Sequence, residues 1–175
     1  MINHFINGAA VAEGGYPSDL FNPSNGSKIG TVLNGGADEL DLAAQAAYTA
    51  FQSWSTTGLG YRANVLLACR QQVMDYRDEL IEICVVEAGK TFADAAAEVD
   101  KGIEGLAYAA SVGSWLRSAT TQNVSPGIDV VDARYPIGVV TTVSPFNFPV
   151  MIPSFPQRCK TVDAAAVLTR ATIRM

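Results

Sequence analysis

The sequence is poor in histidine and cysteine and has no run of basic residues and no long apolar stretch. Its three cysteines, Cys69, Cys84 and Cys159, never approach CxxC spacing. An odd number so widely spaced suits neither a disulfide framework nor a zinc site. Cys69 and Cys84 fall on apolar helical faces, so each is expected to be a small buried hydrophobe. The only histidine, His4, lies close to an end of the chain that tends to fray. That argues against a Ser-His-Asp or Cys-His mechanism within these residues. A net charge of −5 argues against nucleic acid as a partner. No apolar run approaches the ~20 residues that span a bilayer. Met1–Gly8 lacks the basic and apolar regions of a targeting peptide. A cytoplasmic protein without a membrane partner is expected.

What is present suits one hydrophobic core: 175 residues, 49% of them hydrophobic and 17% charged. The first third reads as short strands. Asn7-Gly8 between His4-Phe5-Ile6 and Ala9-Ala10-Val11 is a two-residue hairpin signal. Turn formers from Asn22 to Gly26 separate Leu20-Phe21 from a strand over Lys28–Val32. Helical spacing then takes over. Leu40, Ala43, Ala47, Phe51 and Trp54 share one face, with Asp38 and Asp41 placed to complement the helix dipole. Leu66, Cys69, Val73, Tyr76, Leu80 and Ile83 form an unbroken stripe that predicts a single long helix stopping near Gly89. Thr91 and Asp94 resemble a capping box for a third helix, continuing through Val99, Ile103, Leu106 and Ala110 towards Trp115.

Strand character returns at Ile128–Asp132. A second strand, Ile137–Val143, is apolar and β-branched, as a strand buried on both faces would be. It runs into Ser144-Pro145-Phe146-Asn147-Phe148-Pro149. Two prolines four apart permit neither strand nor helix interior, so a rigid bend is expected at the carboxyl end of that strand. Open α/β sheets bind ligands at this place.

Arg134-Tyr135-Pro136-Ile137-Gly138-Val139-Val140 followed by Ser144–Pro149 resembles the aldehyde dehydrogenases, in which a PxGVV strand leads to P(W/F)NFP. Phe in the second position is similar to the methylmalonate-semialdehyde dehydrogenases. So are Phe5–Gly8, Phe21-Asn22-Pro23 with Gly26, Glu87-Ala88-Gly89-Lys90, and the segment Glu98–Glu104. Six such segments keep their order and spacing over residues 1–156. The resemblance implies an α/β fold containing the amino-terminal strands and helices and the start of a doubly wound NAD-binding domain, with a β-excursion near 121–137. It implies NAD as cofactor, a small-molecule semialdehyde substrate, CoA as acyl acceptor, and a homo-oligomeric assembly.

The resemblance also assigns residues. Asn147 matches the asparagine whose amide donates to the substrate's carbonyl oxygen, a neutral donor suited to an oxyanion. The other reading of Asn147 is a turn residue bonding its own backbone. Ser144 and Phe146 match positions that line the dinucleotide, Phe146 being otherwise an ordinary core aromatic. Lys101 stands where the subfamily carries the Arg that meets the substrate's acid group. Lysine keeps the charge but not the bidentate fork, so a solvated helix face is the role expected of it.

Past Phe155-Pro156 the match fails. The family continues with a small-residue helix and a strand ending in a ribose-binding lysine. Here Val167-Leu168-Thr169 lies near that strand, with Thr169 in place of the lysine. The charge balance also reverses, from −8 up to Gln157 to +3 from Arg158 onward. An altered reading frame over 157–175 accounts for both, and a diverged tail is the alternative. The catalytic cysteine of the family lies farther along its chains, and Cys159, in the unmatched segment, does not replace it. These residues alone are therefore expected to be inactive. Two other readings stand beside this one: a non-catalytic module that associates with full-length subunits, and part of a hydrolytic aldehyde dehydrogenase.

Overall fold

The computed structural model describes residues 1–154 and 166–169 of the chain. Strands β1 (His4–Ile6) and β2 (Ala9–Val11) form the first hairpin. Asn7 and Gly8 turn it with φ of 53° and 78°, the pair of positive angles that a tight hairpin matched to strand twist demands. β3 (Tyr16–Phe21) and β4 (Lys28–Asn34) form the second, also antiparallel. Its loop is built from two side-chain turns. Asn22 Oδ1 accepts from the Ser24 N–H at 2.8 Å, and Asn25 Oδ1 from the Ser27 N–H at 2.9 Å.

Four helices follow. In α1 (Ala37–Trp54), Asp38 lies in the first turn as expected, whereas Asp41 lies beyond it. The capping acid is Glu39, whose carboxylate accepts the Gly36 N–H at 2.5 Å. That bond holds the Glu39 carboxyl below its ordinary pKa. The expected apolar face is present but poorly covered: Leu40 is exposed, and no residue of the helix is fully buried.

The predicted single helix is two. α2 (Leu59–Asp75) and α3 (Arg77–Ala88) meet at Tyr76, whose φ of −101° and ψ of 17° leave the helical region. The break moves the buried row by one position. Beyond the break Ile81 and Cys84 point inward while Ile83 is 43% exposed; before it, Cys69 is also exposed, against expectation. A stripe read at constant pitch across the break carries the wrong phase beyond it.

Thr91 caps α4 (Phe92–Ala110): its Oγ1 accepts the Asp94 N–H at 3.1 Å. α4 is the central helix and has eight buried positions, four of them Ala or Gly. These small residues let its neighbours approach. Ala95, Val99 and Ile103 join Ile81 and Cys84 in the main core cluster, and Leu106 and Ala109 join Leu66 of α2 in a second. The helix ends at Ala110 rather than running on to Trp115; the short α5 (Val112–Trp115) follows as a separate turn.

β5 (Thr120–Ser125) and β6 (Ile128–Val131) form an antiparallel hairpin exposed on both faces. β7 (Val140–Val143) begins three residues later than predicted, and its residues alternate between half-buried and exposed rather than being covered on both sides. Among the described residues its one partner strand is β8 (Ala166–Thr169), which pairs in parallel, Val140 with Ala166 through Val143 with Thr169. Val167-Leu168-Thr169, in the segment expected to fall outside the family match, thus belongs to a strand. α6 (Met151–Ser154) is a single turn packed on α4. Among the described residues no helix is long and apolar enough to cross a membrane.

Candidate active site

The bend after β7 is closed by a bond from the Phe148 N–H to the Pro145 carbonyl at 3.2 Å, with Phe146 and Asn147 at its corner. Pro145 and Pro149 bracket the bend and fix φ at both ends. Asn147 is exposed, and its side chain makes no hydrogen bond among the described residues. The self-bonded turn asparagine is therefore not what this loop contains. Asn147 lines an open cavity of about 390 Å³ together with Lys90, Asp94, Glu98, Lys101, Phe148 and Met151.

Two residues that the motifs contain but that sequence reasoning gave no role organise this cavity. Glu98 on α4 has a side chain only 1% exposed. Its Oε1 accepts the N–H groups of Val150 at 2.8 Å and Met151 at 3.1 Å; its Oε2 accepts from Lys90 Nζ at 2.5 Å. Lys90 Nζ also stands 4.7 Å from the centroid of the Phe148 ring, a cation–π distance. The signal lay in Glu87-Ala88-Gly89-Lys90 and in the glutamate opening Glu98–Glu104. A buried carboxylate requires a cation and N–H partners, but spacing alone does not reveal which loop supplies them.

Lys101 borders the same cavity, yet its Nζ is bonded to Glu104 Oε2 at 2.7 Å on an exposed helix face. The expected solvated face is what it occupies. Ser144 is half-buried at the end of β7. Phe146 is 60% exposed and is no core aromatic. Neither is among the residues lining the Asn147 cavity.

The described cysteines do not supply a nucleophile here. Cys84 is packed in the main core, where burial, and after it the negative charge of Glu98, push its thiol pKa up. A thiol held protonated is unreactive. Cys69 faces outward from α2, and Cys159 lies outside the described residues. His4 sits in the first hairpin and is not among the cavity-lining residues. No group of three or more His, Cys, Asp or Glu residues able to hold a metal occurs among the described residues.

Comparison with known proteins gives this geometry its context. The model of the aldehyde dehydrogenase family matches residues 11–161. The chain belongs to that family. Among the aldehyde dehydrogenases it resembles, the malonate-semialdehyde dehydrogenase of Pseudomonas aeruginosa is 39% identical over 152 residues, which is 87% of this chain and 31% of that protein. Two solved aldehyde dehydrogenases share the fold. The methylmalonate-semialdehyde dehydrogenase of Oceanimonas doudoroffii superposes with a TM-score of 0.89 at 32% identity, over 98% of this chain and 35% of that one. A putative methylmalonate-semialdehyde dehydrogenase of Sinorhizobium meliloti 1021, complexed with NAD, does so with a TM-score of 0.89 at 33% identity, over 97% and 35%. The chain thus spans about a third of the length of the relatives it matches. Its architecture is the α/β fold of the corresponding part of aldehyde dehydrogenases, as the motifs predicted.

Proposed function

We propose that this chain is the amino-terminal part of the NAD-binding domain of a semialdehyde dehydrogenase of the CoA-acylating type, with residues 1–156 as its matched part and 157–175 as a diverged continuation that still supplies β8. The observation that carries the reading is Asn147: an exposed amide, unengaged by its own loop, at a cavity beside a rigid bend. In the complete enzyme a thiolate supplied by residues outside this chain attacks the aldehyde carbon. The carbonyl oxygen takes up the electron pair, and the Asn147 N–H donates to it. A neutral amide does this without titrating, so the stabilisation is independent of pH over the working range.

The chain's residues suit a dinucleotide. The carboxyl ends of the parallel β7 and β8 form the kind of sheet edge where nucleotides bind. Ser144 follows β7 directly, and the exposed Phe146 ring offers an apolar face. NAD, when bound, supplies the acceptor for the hydride that leaves the former aldehyde carbon. Release of the acyl group to CoA, a small semialdehyde as substrate and a homo-oligomeric assembly rest on likeness to the semialdehyde dehydrogenases. Lys101 is the candidate contact for an acid group on that substrate, after exchange of its bond with Glu104.

A chimera tests this. Residues 1–156 replace the matching segment of the Oceanimonas doudoroffii enzyme, and NADH formation is followed with semialdehyde and NAD, with and without CoA. NADH formation by the chimera supports the place of residues 1–156 in a semialdehyde dehydrogenase; a folded chimera that forms none would overturn it. Asn147→Ala in the chimera should lower kcat by roughly 10²–10³-fold. An unchanged kcat would remove the oxyanion role. The 175 residues by themselves should form no NADH, and steady cysteine-dependent production by them would overturn the assignment of the nucleophile to other residues.

A further inference from the structure

We infer that Glu98 and Lys90 together set the position of Asn147, with Glu98 as the positioning residue. The inference deepens the reading above and rests on it for its catalytic consequence, though not for its structural one. Glu98 of α4 and Lys90 of the loop between α3 and α4 grip three of the four residues that follow Asn147. Glu98 takes the N–H groups of Val150 and Met151, and Lys90 covers the ring of Phe148. The two grips are joined by the bond from Lys90 Nζ to Glu98 Oε2. The prolines make the bend stiff, but stiffness does not place it. Among the described residues, the side-chain hydrogen bonds that tie this loop to the long helix α4 end on Glu98.

A purely stabilising role is a poor explanation of the pair. Removing a carboxylate and an ammonium from water offsets most of their attraction, and well-packed apolar residues of similar size often do as well. What an apolar replacement cannot do is accept two backbone N–H groups from a particular loop in a particular direction. The pair therefore carries geometry rather than stability. Gly102, one turn beyond Glu98, belongs to the same arrangement: it brings α4 against the Met151 Cα and Ser154, close to the carboxylate's N–H partners.

The test uses the isotopically labelled full chain and three variants: Glu98→Ala, Glu98→Gln, and the apolar double variant Lys90→Met with Glu98→Leu. Backbone amide exchange is read at Val150 and Met151 and, as the control for folding, at Val99 and Ile103. The position of Asn147 is read from its side-chain amide resonances. In the double variant the core amides should keep their protection. Val150 and Met151 should exchange roughly 10- to 100-fold faster, the loss expected when a charged acceptor is removed. The Asn147 resonances should move. Glu98→Gln, which retains an acceptor oxygen, should restore most of the protection lost in Glu98→Ala. Unchanged exchange at Val150 and Met151 with a folded core, or unmoved Asn147 resonances, would overturn the inference. So would an equal loss of protection throughout the core of all three variants, since the pair would then hold the fold and not the loop.

Kinetics of the chimera separate this inference from the oxyanion reading. Glu98→Ala should lower kcat with little change in KM for NAD, and Glu98→Gln should recover most of it. If Asn147→Ala lowers kcat and Glu98→Ala does not, the positioning role is wrong and the oxyanion role stands. If Asn147→Ala leaves kcat unchanged, the oxyanion role is wrong, and the exchange measurements alone decide whether Glu98 holds the loop.

Discussion

At the scale of single residues, chemistry follows surroundings more than identity. Cys69 and Cys84 carry the same thiol on adjacent helices, and sequence pattern expected both to be buried. Cys84 is 2% exposed, with its pKa raised by burial and by Glu98, whereas Cys69 faces solvent. Because alkylation needs an accessible thiolate, brief treatment with iodoacetamide near neutral pH should label Cys69 well before Cys84. Peptide mass mapping would check this, and equal rates would mean that the main core opens readily. Asn147 was legible for a different reason: two flanking prolines and a recognisable strand announce a shaped loop. Glu98 and Lys90 were not legible as a pair. Their loop partners, Val150 and Met151 for Glu98 and Phe148 for Lys90, lie more than fifty positions along the chain, a distance no local pattern spans.

Elements were legible where local chemistry determines them. Asn7-Gly8 turns β1 into β2, and Thr91 starts α4, since both signals act within four residues. The continuous helix was misread because leaving helical geometry at Tyr76 alters phase without altering hydrophobicity. Just past the break, Arg77 bonds across to α4, with Nε to Asp100 Oδ1 at 2.7 Å and Nη2 to Oδ2 at 2.9 Å. This fork holds the Asp100 carboxyl below its usual pKa. A group depressed on folding contributes stability that is complete above its unfolded value, near pH 4, and is lost as pH falls through the lower folded value. Arg77→Met should therefore shift the onset of acid unfolding to higher pH, as followed by circular dichroism, with a smaller shift at high salt because the pair is half exposed. Gly102 provides a second test between elements. A Cβ there would stand 3.2 Å from Ser154 Oγ, an atom already bonded to the Val150 carbonyl at 2.9 Å. Gly102→Ala should be near neutral in urea unfolding, because the gain in helix propensity of about 1 kcal/mol is set against that tight contact. Gly102→Val should cost about 1–3 kcal/mol by overpacking and displace α6 from α4.

At the scale of the whole molecule, much apolar surface of the described residues is left bare. α1 has no fully buried residue, the β5–β6 hairpin is bare on both faces, and β7 leaves Val143 59% exposed. Helices α2 to α4 are the exception, because their mutual contacts complete a core without help. Unfolding should accordingly be graded: amides of Ile81, Val99 and Leu106 should be the slowest to exchange, and those of β5 and β6 the fastest. Exposed apolar faces and unpaired strand edges also favour association. We expect the purified chain to elute as polydisperse oligomers in size-exclusion chromatography with light scattering and to bind a hydrophobic dye; in the chimera with the Oceanimonas doudoroffii remainder, dye binding should fall and one defined assembly should replace the polydisperse ones. A dye-silent monomer would mean that these faces are covered by a rearrangement of the chain itself, and the family architecture would then have to be abandoned for everything outside the three-helix core.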